Sequence, residues 1–440
     1  MFERLPGFRD FYPEECAVRN HLFRAWRSAA RRFGFSEYDG PLLESLELFR
    51  AKSGDEIVEQ LFSFTDRGGR EVALRPELTP SLARLAGARA QSLKKPVKWF
   101  GIGEQFRYER QQRGRLRSFY QFNADILGEP GPAAEIELIA LLIHSFTSFG
   151  LGAADFAVRL SDRDLWLFYL RGMGLDEEAC AGVLSVIDKM GREPEEKTLE
   201  KLEPYFGEAR ADFMGKIASL RDLKSLEDMR EFLLAHTTDG ALREGIEQRL
   251  AQWRTLLSGL EAMGLGEFIR IDLGIVRGLA YYTGFVFEAF DRAGELRALA
   301  GGGRYDHLIE KLAGPEMAAA GFGIGDATLW ELLESKKLLP RYVEAADLYA
   351  VIEGEAAREA AFRDVRALRE AGFRVEYSLK PLAFGKQFKL AASSGARLAL
   401  IYGSEEIANA TVKVRNLQDR SEEAVPAGRL AAFIREFFSG

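Results

Sequence analysis

The chain has few of the residues that build disulfide scaffolds and metal sites. Its 440 residues include two cysteines, Cys16 and Cys180, and four histidines. Two cysteines exclude a disulfide-rich scaffold and a cysteine-rich zinc site. No two histidines have the spacing of a zinc-binding helix motif such as HExxH, so we predict no metal site among the protein's own side chains.

Long apolar runs and an excess of positive charge are also missing. No run of 18 apolar residues occurs, and the charged N-terminal stretch MFERLPGFRDFYPEE contains no signal-peptide core. We therefore expect a cytoplasmic protein with no membrane partner. The 60 basic and 67 acidic residues give a net charge of -7, which excludes a uniformly basic nucleic-acid-coating surface but allows a local basic site.

The order of strand-like and helix-like segments predicts an α+β protein with more than one domain. Strands followed by helices, rather than strict alternation, favour an antiparallel sheet in residues 1–330. Within that range, the charge-rich helical pattern of residues 170–265 predicts a helical insertion. A linker is expected at 331–342. The last segment, 343–440, alternates short apolar strands with helices, which predicts a separate, mostly parallel α/β domain.

One group of charged and polar residues is suited to binding a phosphate and an amine. Arg107 and Glu109 end one predicted strand, Arg115 follows in a loop, and the next strand carries Gln121 and Asp125. Alternate residues of a strand share a face, and a guanidinium beside carboxylates suits a ligand with both charges. A cross-strand ladder of salt bridges would explain the same residues equally well.

The segment LRPELT places a carboxylate and a hydroxyl, Glu77 and Thr79, two residues apart. Such a pair can hold an ammonium group. An ordinary helix start, with Thr79 as the cap and Pro80 in the first turn, is the alternative interpretation.

Two glycine-containing segments indicate a close approach of backbone to a ligand. VRGLAYYTG supplies Arg277 as a charge and Tyr281 and Tyr282 as walls with polar ends. GGGRYD, which contains Tyr305, puts three glycines within a predicted strand. No GxGxxG sequence opens a helix there, which argues against a dinucleotide site.

Taken in order along nearly the whole chain, these segments resemble the histidyl-tRNA synthetase family of class II aminoacyl-tRNA synthetases. LRPELT is similar to the family's amino-acid-binding segment, and FRYER with GRLRSFYQFNAD to its motif 2. VRGLAYYTG and GGGRYD resemble its two histidine-specific signatures. The resemblance implies a class II antiparallel-sheet catalytic domain with a helical insertion, plus a C-terminal α/β anticodon-binding domain. The implied function is ATP-dependent ligation of histidine to its cognate tRNA through histidyl-adenylate.

The resemblance also implies roles for single residues, with ATP and Mg²⁺ as substrate and ion. Arg107 and Arg277 would be catalytic, and ATP would be bound by Arg107 at the α-phosphate, Arg115 at the outer phosphates, Arg277 and Glu109. The α-amino group of histidine would be held by Glu77, Thr79, Gln121 and Asp125. The imidazole would be enclosed by Tyr281, Tyr282 and Tyr305. Gln112 would approach the acceptor end of tRNA(His).

The sequence departs from the family pattern at two positions. Gly325 is followed by Asp326, Ala327 and Thr328, so that Thr328 stands where the adenine-stacking arginine of motif 3 belongs. Ala280 replaces the usual aspartate of VRGLAYY. The first change predicts a raised ATP requirement.

An alternative function and an expected assembly follow from the same resemblance. A catalytically weakened paralogue would be a histidine-binding regulator of the ATP phosphoribosyltransferase type or a tRNA-binding scaffold. The anticodon-binding tail favours the ligase, because a protein that only senses histidine has no use for it. The family's motif 1, here GFSEYDGPLLES with Pro41, implies a homodimer.

Overall fold

The computed structural model describes residues 2–53, 55–109, 114–190, 193–275, 282–312, 314–342 and 346–439. Four residues singled out above, Gln112, Arg277, Ala280 and Tyr281, lie outside the described residues. The chain divides into two compact units, Met1–Pro340 and Arg341–Gly440.

The first unit is built on a large, mainly antiparallel sheet. Its strands are β1 (Ser36–Glu37), β2 (Leu43–Ser45), β3 (Ser63–Thr65), β4 (Glu71–Leu74), β5 (Val97–Phe106), β6 (Ser118–Leu127), β7 (Phe156–Asp162), β8 (Ile269–Ile271), β9 (Phe285–Asp291), β10 (Ala300–Arg304) and β11 (Ala319–Gly325). The large sheet has the order β1-β5-β6-β11-β10-β9-β7-β8, and β2-β4-β3 form a small one. Only the outer pairs β1–β5 and β7–β8 are parallel among the described strand pairs of the large sheet. The predicted antiparallel sheet is confirmed.

Helices cover the sheet and fill the stretch between β7 and β8. They are α1 (Pro13–Arg32), α2 (Leu46–Ser53), α3 (Thr79–Arg89), α4 (Ala133–Thr147), α5 (Arg163–Gly172), α6 (Glu177–Lys189), α7 (Glu195–Phe206), α8 (Arg210–Asp222), α9 (Leu226–Ala235), α10 (Gly240–Ala262), α11 (Leu308–Lys311) and α12 (Asp326–Ser335). Helices α5 to α10 occupy the region in which the insertion at 170–265 was predicted. Helix α12 continues past residue 330, into the range predicted as linker.

Strand β6 has one face packed in the core and the opposite face directed away from it, toward the site. Phe122, Ala124 and Ile126 alternate along the strand and are buried in the core. The Phe122 ring stacks on Trp26 of α1 with centroids 5.7 Å apart. Because successive side chains of a strand point to opposite faces, the odd-numbered residues of β6 face away from this core.

Glycines of the neighbouring strands lie on that opposite face. Gly321 pairs in register with Asp125, and Gly323 pairs with Asn123. On the other side of β11, Gly323 faces Gly301 of β10. The glycines at these odd positions of β10 and β11 thus form a floor that has no side chains of its own.

The second unit is a mixed sheet with helices. Its elements are β12 (Leu348–Ile352), α13 (Gly354–Glu370), β13 (Val375–Tyr377), α14 (Phe384–Ser393), β14 (Leu398–Tyr402), α15 (Ser404–Ala408), β15 (Thr411–Asn416), β16 (Glu422–Pro426) and α16 (Leu430–Ser439). The order is β13-β12-β14-β15-β16. Strands β13, β12 and β14 are parallel, whereas β15 and β16 pair antiparallel. The α/β prediction is confirmed, but the sheet is less parallel than expected. The predicted strand β15 pairs antiparallel with β14, and β16, which was not predicted, pairs antiparallel with β15.

Across the described parts of both units, no helix combines the length and the apolar character needed to cross a lipid bilayer.

Candidate active site

The glycine floor lines two adjacent cavities. The smaller has a volume of about 70 Å³ and the larger about 680 Å³. Both are lined by Arg107, Gln121, Gly301 and Gly323. The small pocket and the larger groove therefore adjoin at these residues.

The small pocket gathers the predicted amine-binding and ring-binding residues. Its lining includes Glu77, Thr79, Arg107, Gln121, Asn123, Asp125, Tyr282 and Tyr305. These side chains come from five separate segments of the chain. The structure brings together every predicted histidine-binding residue that it describes.

Two glycines of β11 leave room for the polar side chains of β6. A Cβ atom at Gly321 would overlap Oδ1 of Asp125, and one at Gly323 would overlap Nε2 of Gln121. Both added atoms would collide with atoms that line the pocket. Glycine is required at these positions for space rather than for backbone conformation.

Asp125 lies at the buried end of the pocket, with 3% of its surface exposed. Its Oδ1 accepts a hydrogen bond from the Tyr305 hydroxyl at 2.5 Å. Burial raises the pKa of the Asp125 carboxyl to about 7, although this hydrogen bond and the positive charge of Lys52 oppose the shift. Asp125 can thus change its charge near neutral pH.

Two buried acceptor atoms beside Asp125 have no hydrogen-bond partner within the described residues. They are Oε1 of Gln121 and Oδ1 of Asn123. Buried polar atoms in folded proteins are nearly always paired. The two oxygens are therefore suited to receive N–H groups from a small ligand.

Lys52 is a buried partner of the pocket residue Glu77 that the sequence analysis missed. Its side chain is fully buried, and its Nζ lies 2.5 Å from Oε1 of Glu77. Burial lowers the pKa of Lys52, while the charge of Glu77 opposes the shift. Lys52 follows Phe49 of α2 by three residues and so shares the buried face of that helix. A lysine on an apolar helical face was the signal that could have identified it.

The larger groove carries the predicted phosphate-binding residues. Arg107, Glu109 and Arg115 line it, together with Phe119. Nε of Arg107 donates to the Pro76 carbonyl at 3.1 Å. Nε of Arg115 donates to the Glu109 carboxylate. An ion pair is therefore present among these residues, as the alternative of a cross-strand salt-bridge ladder requires. It lies at the wall of an open groove, however, and not in a ladder between strands.

In two of the segments described above, LRPELT and GGGRYD, an arginine stabilises the surrounding fold instead of lining the pocket. Arg75 of LRPELT is buried and donates to Asp39 at 2.9 Å. Arg304 of GGGRYD donates through Nε and Nη2 to the buried carboxylate of Glu135, both at 2.7 Å. Tyr305, the next residue, faces the pocket, as the alternation of strand residues requires.

The two predicted threonines have different surroundings. Helix α3 begins at Thr79 with Leu78 as its N-cap residue and no side-chain cap, so Thr79 lines the pocket instead of capping the helix. Thr328 is buried in the first turn of α12, and its hydroxyl donates to the Gly114 carbonyl at 3.4 Å.

Comparisons with known proteins agree with this geometry. The family model described as histidyl-tRNA synthetase matches residues 7–328, and the anticodon binding domain model matches residues 348–437. A histidine–tRNA ligase from Opitutus terrae is 56% identical over 441 residues, covering 100% of this chain and 99% of that protein. The chloroplastic/mitochondrial histidine–tRNA ligase of Arabidopsis thaliana is 39% identical, covering 93% of this chain and 82% of that protein.

Solved structures share the fold over nearly all of the chain. A histidyl-tRNA synthetase from Nostoc sp. superposes with a TM-score of 0.77 at 24% identity, covering 99% of both chains. The apo histidyl-tRNA synthetase of S. aureus gives a TM-score of 0.74 at 23% identity, covering 99% of this chain and 100% of that one. With its pocket, its groove and these matches over its full length, the chain belongs to the histidyl-tRNA synthetase family.

Proposed function

We propose that the chain ligates histidine to tRNA in two steps, with ATP as the activating substrate. The observation that carries this function is the junction of a small, acid- and amide-lined pocket with an arginine-lined groove at Arg107 and Gln121. A substrate carboxylate held at that junction would meet the α-phosphate of a nucleotide in the groove.

The pocket is assigned to histidine, with its amine and its ring at different ends. Glu77, Thr79 and Gln121 hold the α-amino group, as the resemblance implies. Asp125 is reassigned from the amine to the imidazole, because its carboxylate is bonded to Tyr305, one of the residues proposed to enclose the ring. A carboxylate that accepts an imidazole N–H rejects side chains of similar size that lack this donor.

The groove is assigned to ATP and its magnesium ion. Arg107 holds the α-phosphate and Arg115 the outer phosphates, while Glu109 orients Arg115 through their ion pair. Glu109 and Glu288 both line the groove and are the oxygen donors that a magnesium ion carried by the phosphates would meet. That ion would neutralise phosphate charge. Arg277 is proposed to act on the same α-phosphate.

The chemistry requires positioning and charge stabilisation more than proton transfer. In the first step the histidine carboxylate attacks the α-phosphorus and pyrophosphate leaves, which gives histidyl-adenylate. Arg107 stabilises the charge that develops on the α-phosphate oxygens. In the second step a terminal hydroxyl of the tRNA attacks the activated carbonyl and AMP leaves. Gln112 is proposed to contact the acceptor end, and the second unit to bind the anticodon.

The chain is further proposed to work as a cytoplasmic homodimer. Three large apolar side chains close to the motif 1 region, Leu42, Leu43 and Phe64, are between 40% and 53% exposed, which supports a partner surface there. Light scattering on the purified protein should give twice the 49.3 kDa mass of the chain. A monomer at micromolar concentration would contradict this assembly.

The regulatory alternative has only a shared fold in its favour. A structure from Bacillus halodurans C, described as an ATP phosphoribosyltransferase regulatory subunit/histidyl-tRNA synthetase, superposes with a TM-score of 0.70 at 23% identity. The pocket and the groove of this chain retain the proposed histidine and phosphate ligands that the structure describes. The ligase is therefore the function proposed.

Attachment of radiolabelled histidine to tRNA tests the proposal. The wild-type chain should charge tRNA(His) only when ATP is present. Arg115→Ala should raise the KM for ATP at least about tenfold, because a charge-assisted contact contributes on the order of 1.5–3 kcal/mol. Arg89→Ala, an exposed arginine at the end of α3, is the matched control and should charge normally. A wild-type protein that binds tRNA(His) and histidine without charging would contradict the ligase.

A further inference from the structure

The groove is lined by a third arginine, Arg297, which the sequence analysis did not predict as a site residue. Arg297 lies on the connection between β9 and β10, and it shares the wall of the 680 Å³ groove with Glu288 and Phe290. Arg107 and Arg115 belong to the same groove. The groove therefore has a cation on the β9–β10 side in addition to the two from the β5–β6 side.

The register of the sheet explains how this segment reaches the site. Gly301 of the glycine floor faces Gly323 on one side and Glu288 on the other. Glu288 and Phe290 alternate along β9, so both project above the floor. The connection that follows β9 returns to β10 at this same edge of the floor, which brings Arg297 over it.

In the described lining of the groove, the start of α12 contributes Ala327 and Thr328, neither of which carries a charge. Thr328 is 7% exposed, and its hydroxyl donates to the Gly114 carbonyl. The sequence contains no arginine between Arg304 and Arg341. An uncharged, already bonded threonine can bind neither a phosphate nor the face of a base as a guanidinium does.

The surroundings of Arg297 suit a flat ring better than a triphosphate. Its neighbours along the wall are mainly apolar: Phe290, Ala298, Leu299 and Ala300. A guanidinium next to apolar surface stacks favourably on an aromatic ring. The phosphates of a nucleotide have Arg107 and Arg115 on the other side of the groove.

We propose that Arg297 contacts the adenine ring of ATP and supplies the cation that position 328 lacks. The inference rests on the proposed function, because it takes the groove to be the ATP site. It also predicts that ATP use is not weakened by Thr328, since the stacking cation comes from another strand connection.

Pyrophosphate exchange separates a base contact from a phosphate contact, because KM values for histidine, ATP and pyrophosphate come from one reaction. In Arg297→Ala the KM for ATP should rise about 3- to 30-fold. The KM values for histidine and pyrophosphate should stay within about twofold. Arg297→Lys, which keeps the charge but not the planar group, should fall between wild type and Arg297→Ala. Arg115→Ala should raise the KM values of both ATP and pyrophosphate.

Arg292→Ala is the matched control. Arg292 lies on the same connection, but its guanidinium donates to the carbonyls of Ala153 and Glu267, and it is not among the described residues of the groove wall. Its removal changes the net charge equally and should leave the KM for ATP unchanged. Both arginines are exposed, so thermal unfolding should detect no large loss of fold.

Two results would overturn the inference. One is an unchanged KM for ATP in Arg297→Ala; the other is an equal rise for ATP and pyrophosphate, which would place Arg297 on the phosphates. Calorimetry measures the ATP affinity of wild type and Arg297→Ala directly, and so tests whether Arg297 binds ATP without relying on catalysis. An absence of exchange in the wild type would contradict the proposed function, whereas the calorimetric comparison would still decide whether Arg297 binds ATP.

Discussion

Tyr305, the residue that follows β10, donates a hydrogen bond across 2.5 Å to Asp125 of β6, and these two strands are not neighbours in the sheet. The strand between them, β11, passes under this contact with Gly321, where a side chain would collide with Asp125. The contact therefore depends on three strands from distant parts of the sequence. It fixes the carboxylate at the end of the pocket that we assign to the histidine ring.

Tyr305→Phe should move the pH dependence of histidine use to higher pH. The carboxylate form of Asp125 is proposed to accept the imidazole N–H, and the pKa of Asp125 is about 7. Affinity is thus present above this pKa and is lost as the pH falls through it. Because the Tyr305 hydrogen bond lowers the pKa of Asp125, its removal raises that pKa. Profiles of kcat/KM for histidine between pH 5.5 and 9 measure the shift.

The ionisation of free histidine is common to all variants and cancels in this comparison. In Asp125→Asn, the pH profile of kcat/KM should lack the inflection that the titration of Asp125 produces, and most of the histidine affinity should be lost. A Tyr305→Phe profile that coincides with the wild-type profile would mean that Asp125 does not bind the substrate in its charged form.

Gly321→Ala should impair histidine binding without preventing folding of the rest of the unit. The added Cβ would displace the Asp125 carboxylate, and loss of a buried charged contact costs about 2–5 kcal/mol. The KM for histidine should rise by at least about tenfold. The control is Gly325→Ala in the same strand, since no described atom lies within 4 Å of a Cβ added there. Equal effects of the two changes would refute the spatial argument.

Lys52 and Glu77 allow folding and binding to be separated. Glu77→Gln should weaken histidine binding by about 2–5 kcal/mol and also lower stability, because it leaves the buried Lys52 ammonium without its carboxylate. Combining it with Lys52→Met should recover the melting temperature but not histidine binding. Calorimetric titration and thermal unfolding measure the two quantities. Recovery of histidine binding in the double variant would show that Glu77 does not hold the amine.

Arg9 is expected to hold the start of α12 in place. Its Nη2 lies 2.7 Å from Oδ2 of the fully buried Asp326, whose Oδ1 accepts from the Tyr120 amide at 2.9 Å. Arg9→Ala should destabilise the first unit by about 1–3 kcal/mol, since the buried carboxylate loses a charged partner. Arg4→Ala, an exposed arginine of the same segment, should change stability by about 0.5 kcal/mol or less. Thermal unfolding of the two variants compares them.

Local patterns were sufficient for most strands but not for all of the sheet. The alternation in SFYQFNADILG correctly put Gln121 and Asp125 on one face, because the period of a strand is a local property. Strand β16 was missed because four of its five residues are exposed, which leaves no apolar alternation to detect. Three-dimensional pairing, rather than propensity, makes it a strand.

Three of the missed site residues were missed for one physical reason. Glu288, Phe290 and Arg297 reach the groove only because β9 pairs with β10 in a register that sets Glu288 against Gly301. Nothing in the sequence near β9 encodes that register. The same limit applies to Asp125: its strand face could be predicted from the sequence, but not its contact with Tyr305.

Histidine-dependent pyrophosphate exchange on the purified chain tests the central claim, that the pocket and the groove form one site for activating histidine. Labelled pyrophosphate should enter ATP when histidine is present and not when it is omitted or replaced by another amino acid. Arg107→Ala, at the junction of the two cavities, should reduce kcat strongly while histidine still binds. Exchange that is undetectable in a wild-type protein shown by calorimetry to bind both histidine and ATP would contradict the account.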